Sequence, residues 1–74
     1  MSHAPDAVGV LVVDDESRIR DGLTRVLVPM GYRVSAVGRG EEALDRLAKG
    51  EVAIVLLDLQ LPDMSGVDVL RRIR

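Results

Sequence analysis

The sequence has no cysteine, tryptophan or phenylalanine, and a single tyrosine is its only aromatic residue. Without cysteine there is neither a disulfide framework nor a thiolate metal site. The absence also fits a reducing compartment. One tyrosine makes no platform for stacking nucleic-acid bases. Charge shows no strong bias either. Ten basic and twelve acidic residues leave a net charge of -2. They are interspersed, so neither a nucleic-acid surface nor a polybasic membrane anchor is expected. No apolar run approaches the length of a membrane span. No basic segment followed by an apolar core opens the chain, so there is no sign of a secretory signal.

What remains is a chain of 74 residues, enough for one domain or part of one. A core this small is marginal without disulfides, a metal or oligomerisation. Residues 1–7 are polar and proline-bearing and read as a loose tail. His3 lies in that tail, where a lone histidine is more readily bland than a metal ligand.

Residues 8–74 alternate regularly. Val8 to Val13, VGVLVV, is a short β-branched run apolar on both faces, which predicts a strand buried on both sides, as in a parallel sheet covered by helices. Glu16 to about Val28 reads as a helix, with Ile19, Leu23, Val26 and Leu27 forming one apolar stripe. Pro29 disfavours further helix and Gly31 suits the exit. Arg33 to Val37 is a shorter, more polar strand that looks like an edge. Glu41 to Lys49 is a second helix, with acids in its first turn and Gly50 just past its end. Val52 to Leu57 is the third and most apolar strand. After the loop LQLPDMSG, Ser65 with Asp68 forms a capping box for a third helix that turns Val69, Leu70 and Ile73 inward.

Such alternation predicts an α/β fold with a parallel sheet. Right-handed crossovers, two doubly apolar strands and one polar edge give three parallel strands in the order 2-1-3 with three helices. The chain then reverses direction across the sheet at strand one, which opens a crevice at the carboxyl ends of strands one and three, where open α/β sheets bind ligands. Asp14 and Asp15 directly follow strand one, and Asp58 directly follows strand three. Each acid alone could simply start a helix, a role aspartate favours. Three together repel one another and call for a cation, a shared proton or generous solvation. With oxygen ligands only, the cation is a hard one such as Mg2+.

These residues resemble the receiver domain of two-component response regulators. VLVVDDE is similar to the family's acidic pair after strand one, and AIVLLDLQLPDMSGVDVL to its phosphoacceptor segment, with Asp58, Pro62 and Gly66 at the family's spacing. GEEALDRL is similar to its second helix. The resemblance implies a flavodoxin-like fold, with Asp58 accepting a phosphoryl group from a sensor histidine kinase or a phosphotransfer protein. Asp15 would bind Mg2+ directly, Asp14 mainly through a metal-bound water, and the backbone carbonyl of Gln60 would add a ligand. The Gln60 side chain would tune the lifetime of the phosphoryl group. It implies a signalling phosphoprotein of the cytoplasm and not an enzyme, with no direct contact to nucleic acid or membrane.

The sequence departs from the family in three places. The fourth and fifth strands and last two helices are not in it, nor are the sensing hydroxyl, the lysine and the switch aromatic they carry. Residues 8–74 are therefore expected to be the N-terminal part of a receiver domain. Ala53 stands where the family often has an acid, and Pro29 is unusual near the end of the first helix.

Three rivals are weaker. A receiver-like module could dimerise or bind a partner without phosphotransfer. Gly38 to Ala43 fits G-x-G-x-x-A between a strand and a helix, as in dinucleotide binders, but Glu41 and Glu42 would repel a pyrophosphate there. An aspartate-nucleophile phosphohydrolase wants a second acid where Gln60 stands. One further expectation concerns assembly. Strand three is the most apolar run and has no lysine or proline to protect it as an edge, so a homodimer through that strand is expected.

Overall fold

The computed structural model describes residues 7–74, so the expected tail, His3 included, lies outside the described residues apart from Ala7. The elements are β1 (Gly9–Val13), α1 (Ser17–Leu27), a 3-10 turn (Val28–Met30), β2 (Arg33–Val37), α2 (Gly40–Ala48), β3 (Ile54–Leu57) and α3 (Gly66–Ile73). The sheet has three strands in the order β2-β1-β3. Both pairings are parallel, with Val13 opposite Val37 on one side and Leu57 on the other. The expected order and directions are those observed.

The core is built on β1, whose five residues are all buried. Its side chains alternate between the two faces. Leu11 and Val13 join Ala43 of α2, with Leu47, Val55 and Leu57 packed around them. On the opposite face Val12 lies beside Leu23 of α1 and Leu56 of β3. This alternation explains β3, where Val55 and Leu57 are half-buried while Ile54 and Leu56 are 42% and 38% exposed.

One burial expectation is corrected, that of α3. In α1, which carries the apolar stripe, no residue is fully buried, and Val26 is 60% exposed. The helix covers its face alone and packs on β1 and β2, so the flank toward β3 stays open. Of the three side chains expected to turn inward in α3 only Val69 is buried, whereas Leu70 and Ile73 are exposed. This helix is held mainly by α2, and Val69 is the side chain that lies against Gly40 at the start of α2.

Local signals acted largely as expected. Ser65 accepts a hydrogen bond through its side chain from the Asp68 N–H at 3.1 Å, which caps α3. Gly31 (φ 97°) and Gly50 (φ 76°) adopt the left-handed conformation that closes helices. Pro29 ends the α-helical geometry but is accommodated at the start of the 3-10 turn, where its missing N–H costs nothing. Among the described residues no helix is long and apolar enough to cross a membrane.

Candidate functional site

The parallel register delivers the acids. Just beyond the paired Val13, Val37 and Leu57, the Asp14 N–H donates to the Val37 carbonyl at 3.1 Å and the Asp58 N–H to the Val13 carbonyl at 2.9 Å. Asp14 and Asp58 therefore leave the sheet side by side. One carboxylate oxygen from each of Asp14, Asp15 and Asp58 lies within 4.8 Å of the others. At such separation each pair of charges repels by about 1 kcal/mol in bulk water and about 3 kcal/mol near a protein surface. Asp14 and Asp58 are half-buried, which sharpens the repulsion, while Asp15 is exposed.

The three acids are held differently. An Asp14 carboxylate oxygen accepts from the Glu16 N–H at 2.9 Å, and an Asp58 oxygen accepts from the Gln60 N–H at 3.1 Å. The N-cap of α1 is Glu16 and no side chain caps the helix, so the reading of Asp14 or Asp15 as its cap is corrected: the Asp14 bond is a local turn that leaves lone pairs on the carboxylate for other ligands. Among the described residues the Asp15 carboxylate has no hydrogen-bond partner.

The segment after Asp58 is a tight hairpin. The Gly66 N–H donates to the Leu59 carbonyl at 2.8 Å, the Leu61 N–H donates to the Met64 carbonyl at 3.2 Å, and Gln60 faces Ser65 in an antiparallel bridge. Those bonds use the groups of its neighbours, so the Gln60 carbonyl takes no part in them. Gly66 is required by closeness, since a Cβ there would collide with the Asp58 carbonyl and with Leu59.

Two supporting residues escaped the sequence reading. The Arg20 guanidinium donates to the Asp14 backbone carbonyl at 2.8 Å and lies against Gly38, where an added Cβ would stand 3.0 Å from it. The Asp63 carboxylate accepts from the N–H groups of Gly40 (2.8 Å) and Glu41 (3.0 Å). Those two bonds, the Gly40 bond first, hold the Asp63 carboxyl below the usual carboxylate range. Asp63 reads as a turn residue beside Pro62, and its partners lie on a distant segment, so no local pattern reveals it. Arg20 had a faint signal: it is a base within the first turns of the helix that follows the acidic pair.

The glycine pattern from Gly38 to Ala43 does not make an anion cradle. The Asp63 carboxylate already takes the helix N–H groups a pyrophosphate would use, and the Gly38 N–H donates to the Glu42 side chain at 3.2 Å. A second cleft opens at the amino end of the sheet. The Arg33 guanidinium spans it, donating to the carbonyls of Ala7 at 2.9 Å and Glu51 at 2.7 Å, far from the acidic trio.

Comparison with known proteins agrees with this geometry. Residues 10–74 match the response regulator receiver domain. The uncharacterized transcriptional regulatory protein YkoG of Bacillus subtilis is 45% identical over 65 residues, covering 88% of this chain and 28% of that protein. The response regulator TrrA of Thermotoga maritima, solved in complex with Mg2+-BeF, is 40% identical with a TM-score of 0.85, over 90% of this chain and 58% of that one. TrrA has also been solved in complex with the histidine kinase ThkA, and superposes there with a TM-score of 0.84 at the same identity and coverage. The chain thus spans just over a quarter of YkoG and just over half of TrrA. Sheet order, acids and relatives lead to one conclusion: this chain belongs to the response regulator receiver domain family of two-component signal transduction.

Proposed function

We propose that residues 8–74 form the N-terminal part of a receiver domain that takes a phosphoryl group onto Asp58, with residues 1–7 as a tail. The donor is a sensor histidine kinase or a phosphotransfer protein. The observation that carries this reading is the convergence of Asp14, Asp15 and Asp58 at the carboxyl end of the sheet. An Asp58 oxygen not engaged by Gln60 attacks the phosphorus of a phosphohistidine. A P–O bond forms as the P–N bond breaks, the imidazole leaves with the electron pair, and Asp58 becomes an acyl phosphate. The TrrA complexes with Mg2+-BeF and with a kinase support the reading.

The donor set fits Mg2+. Three carboxylates and a free backbone carbonyl are hard oxygen ligands, and no sulfur competes. Asp15 and Asp58 would bind directly, with the Gln60 carbonyl, while Asp14 would act mainly through a metal-bound water, as the likeness to receiver domains implies. When bound, Mg2+ neutralises charge among the acids and on the phosphoryl oxygens. A cytoplasmic location without direct contact to nucleic acid or membrane belongs to the same proposal.

Metal affinity tests these roles. Asp14→Asn is expected to weaken Mg2+ binding about ten-fold, the scale of an outer-sphere partner. Asp15→Asn removes an uncommitted direct ligand and should weaken it further. Calorimetry reads both, and equal affinities for wild type and the two variants would contradict the assignment.

Assembly is the second part of the proposal. The outer edge of β3 pairs with no strand among the described residues, and its exposed Ile54 and Leu56 carry no protecting charge. Unprotected apolar edges recruit further strands. Two copies related by a two-fold axis perpendicular to the sheet would pair their β3 strands antiparallel and form a six-stranded sheet. Light scattering is expected to show a dimer of this chain at high micromolar concentration. Ile54→Glu should yield a folded monomer, because Ile54 lies outside the α2-side cluster that holds Val55. A monomeric wild type would refute the interface.

A further inference from the structure

We infer that Asp63 is a positioning residue for the acceptor hairpin: by holding the first N–H groups of α2, it sets Asp58 and the Gln60 carbonyl where a divalent cation is received. The inference rests on the phosphoacceptor reading and adds to it a dependence on α2.

The start of α2 lacks a cap of its own. Its N-cap residue is Arg39, whose side chain makes no capping bond. The first N–H groups of a helix have no partner within it and carry partial positive charge. Asp63, from a segment 23 residues away from Gly40, fills that need with one carboxylate oxygen accepting from the Gly40 N–H and the other from the Glu41 N–H. Met64 follows, with its side chain seated on Gly40 where no Cβ would fit. The hairpin tip is therefore docked on α2 through two adjacent residues, one by charge and one by packing.

At its other end the hairpin is joined to the sheet at Asp58, and its rungs are the Gly66–Leu59 and Leu61–Met64 bonds. Between those ends Leu61 packs on the Leu11, Val13 and Ala43 cluster, which leaves Leu59 and Gln60 as the loosely held stretch. Leu59 is 59% exposed, and Gln60 is also exposed. Without the Asp63 clamp, the tip keeps only the packing of Met64 and Leu61, and the exposed Leu59–Gln60 stretch gains freedom to shift the Gln60 carbonyl and the Asp58 side chain relative to Asp15. The charged groups around the clamp are Arg39, which favours the Asp63 carboxylate, and Glu41, whose side chain is occupied by Arg72 of α3 at 3.0 Å. Coupling of this kind is reciprocal, so a cation at the acids must also be felt at the start of α2.

The test compares Asp63→Ala, Asp63→Asn and Glu42→Ala in this chain. Glu42 bonds the Gly38 N–H, so its loss loosens the start of α2 without touching the hairpin. Asp63→Ala is expected to raise the Mg2+ dissociation constant about ten-fold. It should also speed amide exchange at Leu61 and Gly66, and remove the Mg2+-induced shift of the Gly40 and Glu41 amide signals seen in the wild type. Asp63→Asn keeps one oxygen acceptor and should recover part of each loss, and it carries the test if the alanine variant does not fold. Glu42→Ala should leave Mg2+ affinity and hairpin exchange as in the wild type. Two outcomes overturn the inference: wild-type affinity and exchange in Asp63→Ala, or the same losses in Glu42→Ala. A wild type that binds no Mg2+ refutes the phosphoacceptor reading instead, and amide exchange at Leu61 and Gly66 then still decides whether Asp63 holds the hairpin.

Discussion

Asp58→Asn is expected to abolish labelling of this chain by acetyl phosphate and Mg2+, with intact mass as the readout. The substitution is close to isosteric, and the asparagine oxygen can still accept from the Gln60 N–H, so the hairpin remains. What is lost is the anionic oxygen. An amide is a poor nucleophile toward phosphorus, whereas a carboxylate forms an acyl phosphate. Asp14 and Asp15 cannot substitute. Asp14 and Asp15 both stand on the separate β1–α1 turn, on the metal-binding side in the proposed arrangement. The wild type should gain one phosphoryl group and Asp58→Asn none. Labelling that persists in the variant would remove the central assignment.

Leu11→Ala is expected to unfold a large fraction of the chain. Leu11 is 0% exposed in the middle of the central strand, paired with Ser35 on one side and Val55 on the other, and it packs on Ala43 of α2. Truncating a buried leucine costs about 2–5 kcal/mol. Stability of about 0.05–0.15 kcal/mol per residue leaves a chain of this size roughly 4–11 kcal/mol in total. The substitution therefore removes about a fifth of the stability at the least and all of it at the most. Urea titration followed by far-UV circular dichroism reads the shift in midpoint. Leu59→Ala, at a residue 59% exposed, is the control and should change stability by no more than about 0.5 kcal/mol. Equal midpoints for the two variants would contradict the placement of the core on β1.

The strand order and the place of the acids were legible in the sequence because they follow from local patterns and a chirality rule. VGVLVV is apolar on both faces and so must lie inside the sheet, and RVSAV is polar enough for an edge. Right-handed crossovers then leave few arrangements, and any strand that ends in Asp14 or Asp58 delivers it to the reversal point. Ser65 capping and the exits at Gly31 and Gly50 were readable for the same reason, since each depends only on residues a few positions apart.

Tertiary structure alone decided what depends on distant segments. The α1 periodicity marks Val26 as apolar-face, but how far that face is covered depends on where the helix lies across β1 and β2. Leu70 and Ile73 share that uncertainty, because only the contact with α2 selects Val69 as the buried member of its helix. Asp63 is the clearest case. In the sequence it is an acid in a turn, and its bonds to Gly40 and Glu41 exist only once two crossovers bring the β3–α3 hairpin beside the start of α2. Periodicity and turn chemistry are properties of neighbouring residues, whereas burial and hydrogen-bond partnership across loops are properties of the assembled fold.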